Sequence, residues 1–149
     1  MDAVLRARIV DTLAHGRDLT IATNRADGFP QATMVSYVSD GLNLYFGCAG
    51  NSQKARNLAR DNRVSVTITC DYRNWDEIRG VSMAATAARI TDAKEMAHVG
   101  QLMMAKFPQV AKYMTPEAGA VALYRITPKV ISLLDYTKGF GHTEFVEVS

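Results

Sequence analysis

Leu42, Leu44 and Phe46 alternate with Asn43 and Tyr45, the period of a half-buried strand. Two glycines follow, Gly47 and Gly50, then Asn51 and Ser52. From Gln53 the period becomes helical, with Ala55, Leu58 and Ala59 on one stripe. Ahead of this corner, Asp2 to His15 predicts a helix with Leu5, Ile9 and Leu13 on one face and Gly16 as its stop. Leu19 to Thr23 predicts a short strand, and Asn24 to Pro30 a turn with Asp27-Gly28 at its apex. Gln31 to Ser39 is a second strand, joined to Leu42–Phe46 through Asp40-Gly41. Neither of its faces is strongly polar, so this strand is expected to be covered on both sides.

Beyond the central helix, Val64, Val66, Ile68 and Cys70 alternate with Ser65, Thr67 and Thr69 in another strand. Asp71 to Asp76 turns the chain. Ile78 to Ile90 is a long strand crowded with small residues, Gly80, Ser82, Ala84, Ala85, Ala87 and Ala88. Such a strand admits a close neighbour, or lines a tapering barrel interior. Asp92 with Glu95 opens a helix carrying Met96, Val99, Met103 and Phe107, a stripe expected to be core. Pro108 to Thr115 gives a short helix or turn. Gly119 to Asp135 gives one or two strands bent near Thr127-Pro128. About six strands, mostly hairpin-connected, predict an antiparallel barrel with peripheral helices rather than a doubly wound sheet.

Composition narrows the setting. The 149 residues fit a single domain spanning 1–149, with 48% hydrophobic and 21% charged residues. A net charge of +2 and 8% aromatic residues argue against a nucleic-acid groove or an anionic membrane as partner. No apolar run is long enough to span a membrane, and the N-terminus patterns as an amphipathic helix, so the expected location is the cytoplasm. Two cysteines make neither a disulfide framework nor a zinc site, and the three histidines have no metal-ligand spacing, so no metal is expected.

Charge at the central helix is the chemical signal. Asn51 to Arg60 contains no acid, while Lys54 and Arg56 sit in or near the first turn. The helix dipole disfavours bases there by about 0.3–1 kcal/mol unless an anion is bound. A phosphate would accept from Ser52, from the free N–H groups and from Lys54 together. A capped helix with two solvated bases is the alternative. The G-x-x-x-x-G-K-[ST] loop is absent.

Taken in order, these pieces resemble the pyridoxamine-phosphate oxidase-like family of FMN-binding split barrels. The matching residues are Gly28-Phe29-Pro30, Tyr45-Phe46, Ser52-Gln53-Lys54 followed by Asn57-Leu58, Arg63-Val64, and Arg79-Gly80-Val81-Ser82. They cover most of residues 17–135. The resemblance implies a mainly β fold, a six-stranded antiparallel Greek-key split β-barrel with peripheral helices. It also implies a homodimer holding FMN in the subunit interface. The flavin ring would lie against Thr33, Met34, Val35 and Ser36, with Gly47 and Cys48 touching it. Its phosphate would sit at Asn51, Ser52, Gln53 and Lys54.

The chain departs from the oxidases in three places. Gln53 replaces an arginine, Gly80 stands at a glutamine position, and the substrate-binding Arg-x-His has no match. Pyridoxamine phosphate is therefore not the expected substrate. The tail, Asp135 to His142, suits a loop folding over the flavin from the neighbouring subunit, with Lys138 near the ring's N1/O2 edge and Phe140 against the ring; a solvated turn is the alternative. The implied activity is FMN-dependent hydride transfer to or from a small molecule, with no side chain standing out as catalytic. Alternatives are a non-catalytic flavin or haem carrier or sensor, and a deazaflavin-dependent reductase. Trp75 and Tyr72 belong either to a dimer contact or to a substrate lid.

Overall fold

A computed structural model describes residues 1–113 and 120–148. Helix α1, Ala3–His15, begins at Asp2, whose carboxylate accepts from the Leu5 N–H at 2.8 Å, and it ends at Gly16. Strands β1 (Asp18–Asn24), β2 (Pro30–Ser36), β3 (Val38–Asp40) and β4 (Asn43–Ala49) lead to α2 (Gln53–Arg60). After α2 come β5 (Arg63–Thr69), β6 (Arg79–Arg89), α3 (Ala93–Lys106), β7 (Val121–Asp135) and β8 (Thr143–Glu147). Gly41 takes the positive φ of 59° that the β3–β4 turn requires.

All pairings are antiparallel, in the order β2-β1-β5-β6-β7-β4-β3, with β8 added on β7. The two ends of this path, β2 and β3, are consecutive in the chain and separated only by Tyr37. The chain thus crosses from one end of the sheet to the other at a single residue. The sheet curls into a barrel left unlaced between β2 and β4, the mainly β split architecture expected.

Among the described residues there are eight strands, where about six were expected. Tyr37 and Val38 are both buried, so inward–outward alternation slips by one and splits Gln31–Ser39 in two. Thr143–Glu147, in the tail, adds the other. Tyr37 is anchored: its hydroxyl donates to the Leu13 carbonyl at 2.6 Å, and Lys106 Nζ donates to the carbonyls of Tyr37 (2.9 Å) and Gly16 (2.6 Å).

β7 passes its proline without breaking. Pro128 cannot donate to the ladder, and the register against β6 shifts at Ala84/Ala85 to absorb it. Gly119, expected to begin this strand, lies outside the described residues, as does Thr115. Inside the barrel, Ile9 and Leu13 of α1 pack with Ile21, Phe46, Val66, Ile68, Met83, Ile126 and Leu133. A second cluster, Val38, Tyr45, Ile90 and Val99, lies beneath α3 with Met103 and Phe107. Met96 belongs to neither; it is 40% exposed, a correction to the predicted stripe. The small residue Gly80 is explained by strand packing: a Cβ there would stand 2.6 Å from the Ile68 carbonyl oxygen of β5. Among the described residues no helix is long and apolar enough to cross a membrane.

β2 departs from expectation. Gln31, Thr33 and Val35 turn inward, whereas Ala32, Met34 and Ser36 are exposed, Met34 by 68%. The strand expected to be covered on both faces is covered on one.

Candidate functional site

α2 starts beside β4, where Ser52 turns the chain by donating its N–H to the Ala49 carbonyl at 3.0 Å. Its hydroxyl oxygen caps the helix, accepting from the Ala55 N–H at 3.1 Å, and its hydroxyl donates to Cys48 Sγ at 3.6 Å. The N–H groups of Gln53 and Lys54 have no acceptor within a helix start. The first turn carries no acid.

Lys54 is half-buried, with Nζ 5.8 Å from the centre of the Phe46 ring. Burial pushes its ammonium below the ordinary lysine value. Among the described residues it has neither a carboxylate within ion-pair distance nor a hydrogen-bond acceptor. An ammonium partly removed from water without an anion is an unbalanced group, and a phosphate would balance it.

The rest of α2 fixes where this start points. Arg60 at its end donates to the Asn24 carbonyl, and Asn57, one turn earlier, binds Thr23 of β1 and Gln31 of β2. The second half of the helix is thus tied to the ends of β1 and β2, while Lys54 in its first turn stands beside Phe46 of β4. On β2 the Thr33 hydroxyl oxygen is buried with no hydrogen-bond partner. Among the described residues β2 pairs with β1 alone, which leaves its other edge of N–H and C=O groups unpaired. The unbalanced lysine beside β4 and the free edge of β2 are groups left without partners among the described residues. A flat polar-edged ring carrying a phosphate fits that donor set.

The other expected site residues divide. Met34 and Ser36 face outward, with Ser36 Oγ donating to Asp18 at 3.1 Å. The small size of Gly47 serves packing, since a Cβ there would meet Leu123 and Val121 of β7 at 3.2 Å. Cys48 is a half-buried thiol at the corner. Asn51 is exposed, its carbonyl held by Arg56 at 2.6 Å. The Gln53 side chain is engaged at both ends, by Arg56 at 3.0 Å and Asn57 at 2.7 Å, so only its backbone N–H is left for an anion.

Lys138 and Phe140 lie at the far end of β7. Cys48 is opposite Ala122, whereas Thr143 is opposite Leu134, which puts about 40 Å of strand between the two regions. Within one chain the tail and the helix start are separate. Phe140 stacks on Trp75 (5.8 Å between centroids) and meets Tyr136 edge-on at 5.4 Å; both Trp75 and Phe140 remain mostly exposed.

His15 and His98 each sit beside a carboxylate. His15 Nδ1 lies 3.3 Å from Asp11, and His98 Nε2 lies 2.8 Å from Asp40. His142 Nε2 lies 3.3 Å from Glu144. The described residues hold no cluster of three metal-ligating side chains. Sequence reasoning missed Gln31; its signal was an amide side chain on the strand face shared with Thr33 and Val35.

The outer sheet face completes the picture. Cross-strand partners in register share a face. One row runs Met34, Thr20, Thr67, Ser82, Ser132, Phe145, and a second runs Ala32, Ala22, Ser65, Ala84, Val130, Glu147. The first row carries no charge, the second is uncharged as far as Val130 and ends on Glu147 at the β8 edge, and Phe145 is 75% exposed.

Comparison with known proteins agrees with this architecture. Residues 5–135 match the family described as Pyridoxamine 5'-phosphate oxidase. None of the curated proteins matches the chain. Among solved structures, a conserved hypothetical protein from Mycobacterium tuberculosis is 27% identical with a TM-score of 0.77, covering 100% of this chain and 92% of that one. A heme binding protein from Mycobacterium smegmatis is 21% identical with a TM-score of 0.78, covering 99% of this chain but 58% of its own. The heme storage protein HutZ from Vibrio cholerae is 19% identical with a TM-score of 0.67, covering 83% and 89%.

Proposed function

The chain belongs to the pyridoxamine 5'-phosphate oxidase family, and on that footing we propose that it is an FMN-binding oxidoreductase acting on a small molecule as a homodimer. The observation that carries this reading is the half-buried, unpaired Lys54 at an acid-free helix start. The N–H groups of Gln53 and Lys54, the Ser52 hydroxyl and the Lys54 ammonium hold the phosphate, with Asn51 and Cys48 at the rim. The unpaired edge of β2, from Thr33 to Ser36, takes the polar side of the ring. When bound, the flavin supplies hydride transfer; the protein positions it, tunes its charge and excludes water.

The dimer is proposed to form on the outer face, which is uncharged in these two rows from β2 to β7 and bordered by Glu147 on β8. An apolar and small-polar surface of that breadth is an association surface, and a second copy is the partner proposed for it. Covering it buries Met34 and Phe145. Lys138 and Phe140, remote from the helix start of their own chain, are then assigned to the ring site of the partner subunit.

Haem-binding neighbours keep a carrier reading in view. The test is the visible spectrum of the purified protein, followed by titration with FMN and with haemin. Saturable FMN binding at micromolar concentration is expected. Absence of flavin and of FMN binding overturns the reading, and a haem spectrum with histidine ligation transfers it to the carrier class. Reoxidation of photoreduced protein by candidate acceptors separates an enzyme, which shows acceptor preference, from a carrier, which shows none.

A further inference from the structure

Asn57 lies in the middle of α2 and is completely buried, yet it is an amide. Its Nδ2 donates to Thr23 Oγ1 at 3.0 Å and to Gln31 Oε1 at 3.2 Å, and its Oδ1 accepts from Gln53 Nε2 at 2.7 Å. Gln53 Oε1 in turn accepts from Arg56 at 3.0 Å, and Arg56 also donates to the Asn51 carbonyl at 2.6 Å. An unbroken string of hydrogen bonds therefore runs from the loop before α2, through the helix, to β2.

A buried amide is stabilising only with its donors and acceptor satisfied in one geometry, so such a string fixes relative position more strictly than apolar packing does. Here it ties together two elements that β-pairing does not connect. α2 follows β4, while β2 pairs only with β1. They flank the opening described above, one with the anion-holding turn and the other with the ring-holding strand edge. A ligand gripped at both ends gains the full affinity of the second grip only when the two are held at the spacing it needs.

We propose that Asn57 and Gln31 are positioning residues that set the distance between the phosphate grip of α2 and the ring edge of β2. This rests on the flavin reading. The relay acts on a ligand that spans both grips and leaves one that uses a single grip unaffected.

The experiment compares FMN with riboflavin, which lacks the phosphate, on the wild-type chain and on Gln31→Ala. This variant cuts the relay at β2 while Asn57 keeps Thr23. The expected result is a loss of about ten-fold in FMN affinity with riboflavin affinity unchanged within about two-fold. In a Lys54→Ala background the same substitution should cost FMN less than about two-fold, because one grip is already weakened. Equal losses for FMN and riboflavin, equal losses in both backgrounds, or no loss at all would each overturn the proposal. Asn57→Ala serves as a second variant if its circular dichroism shows a folded protein, with the same expectation. Failure of the wild-type chain to bind FMN is a different outcome: it removes the flavin reading, and the relay's purpose with it.

Discussion

Arg8 on α1 reaches Asp135 at the end of β7, Nη2 to Oδ2 at 2.8 Å, and its other nitrogen holds Glu144 of β8 at 2.7 Å. One guanidinium thus bridges both stems of the tail turn that carries Lys138 and Phe140. For Asp135, burial pushes the carboxyl up, but hydrogen bonds from Thr137 and Arg8 outweigh it and leave it below the ordinary value. Glu144 is lowered chiefly by its hydrogen bond to Arg8.

The pH dependence follows. A carboxylate with a depressed folded pKa contributes stability above its unfolded pKa, and that contribution disappears as pH falls through the folded value. Arg8→Ala should destabilise by about 1–3 kcal/mol at pH 7, through the buried Asp135 left without its cation. Urea melts from pH 7 down to pH 3 should show the gap between wild type and variant closing. A gap that persists at low pH would mean that Arg8 acts only by packing.

Lys54→Met should separate stability from binding. Burial lowers the lysine pKa, so its charged form costs stability below the folded pKa, and the cost fades as pH rises through it. Removing the charge should raise the melting temperature of the flavin-free protein by about 2–4 °C. The same change should weaken FMN by about 10–100-fold, the scale of a charge-assisted hydrogen bond. Calorimetry and fluorescence titration check the two effects independently.

Ser82→Lys tests the outer face. Ser82 is exposed in the centre of the uncharged row, so the isolated protomer should tolerate lysine within about 0.5 kcal/mol. Light scattering should then report a monomer with unchanged circular dichroism, and bound flavin should be lost along with the dimer. A variant that stays dimeric would place the interface elsewhere.

Gly16→Ala tests the junction at Tyr37. A Cβ at residue 16 would overlap the Tyr37 hydroxyl and Ile68 Cγ2, both inside the core. Overpacking there should cost about 1–3 kcal/mol, and Tyr37→Phe, which orphans the Leu13 carbonyl, a similar amount. Thermal melts measure both. A neutral Gly16→Ala would show that α1 shifts freely.

What could be read in advance tracks what is local. Strand alternation from Val64 to Cys70, the Asp40-Gly41 turn and the acid-free start of α2 are properties of a few adjacent residues, and each stands as expected. The break at Tyr37 could not be read, because the Leu13 carbonyl that receives its hydroxyl lies on α1 and the Lys106 ammonium that donates to its backbone carbonyl lies at the end of α3, both far along the chain. The Arg8 bridge, 127 residues long in sequence, is invisible for the same reason. At the candidate site, Lys54 and Ser52 were legible from charge and capping. That Gln53 is spoken for by Arg56 and Asn57 was not, since a glutamine in a helix's first turn gives no sign of which way its amide turns.

β7 pairs with β6 along its length, with β4 through its first half and with β8 through its second. Because this strand leaves the ribosome after all but one of the others, the barrel has no way to close until late in synthesis. Until then the nascent chain carries the bare rim of β6, and the docking of a single fifteen-residue segment should set the pace at which the whole molecule acquires its shape.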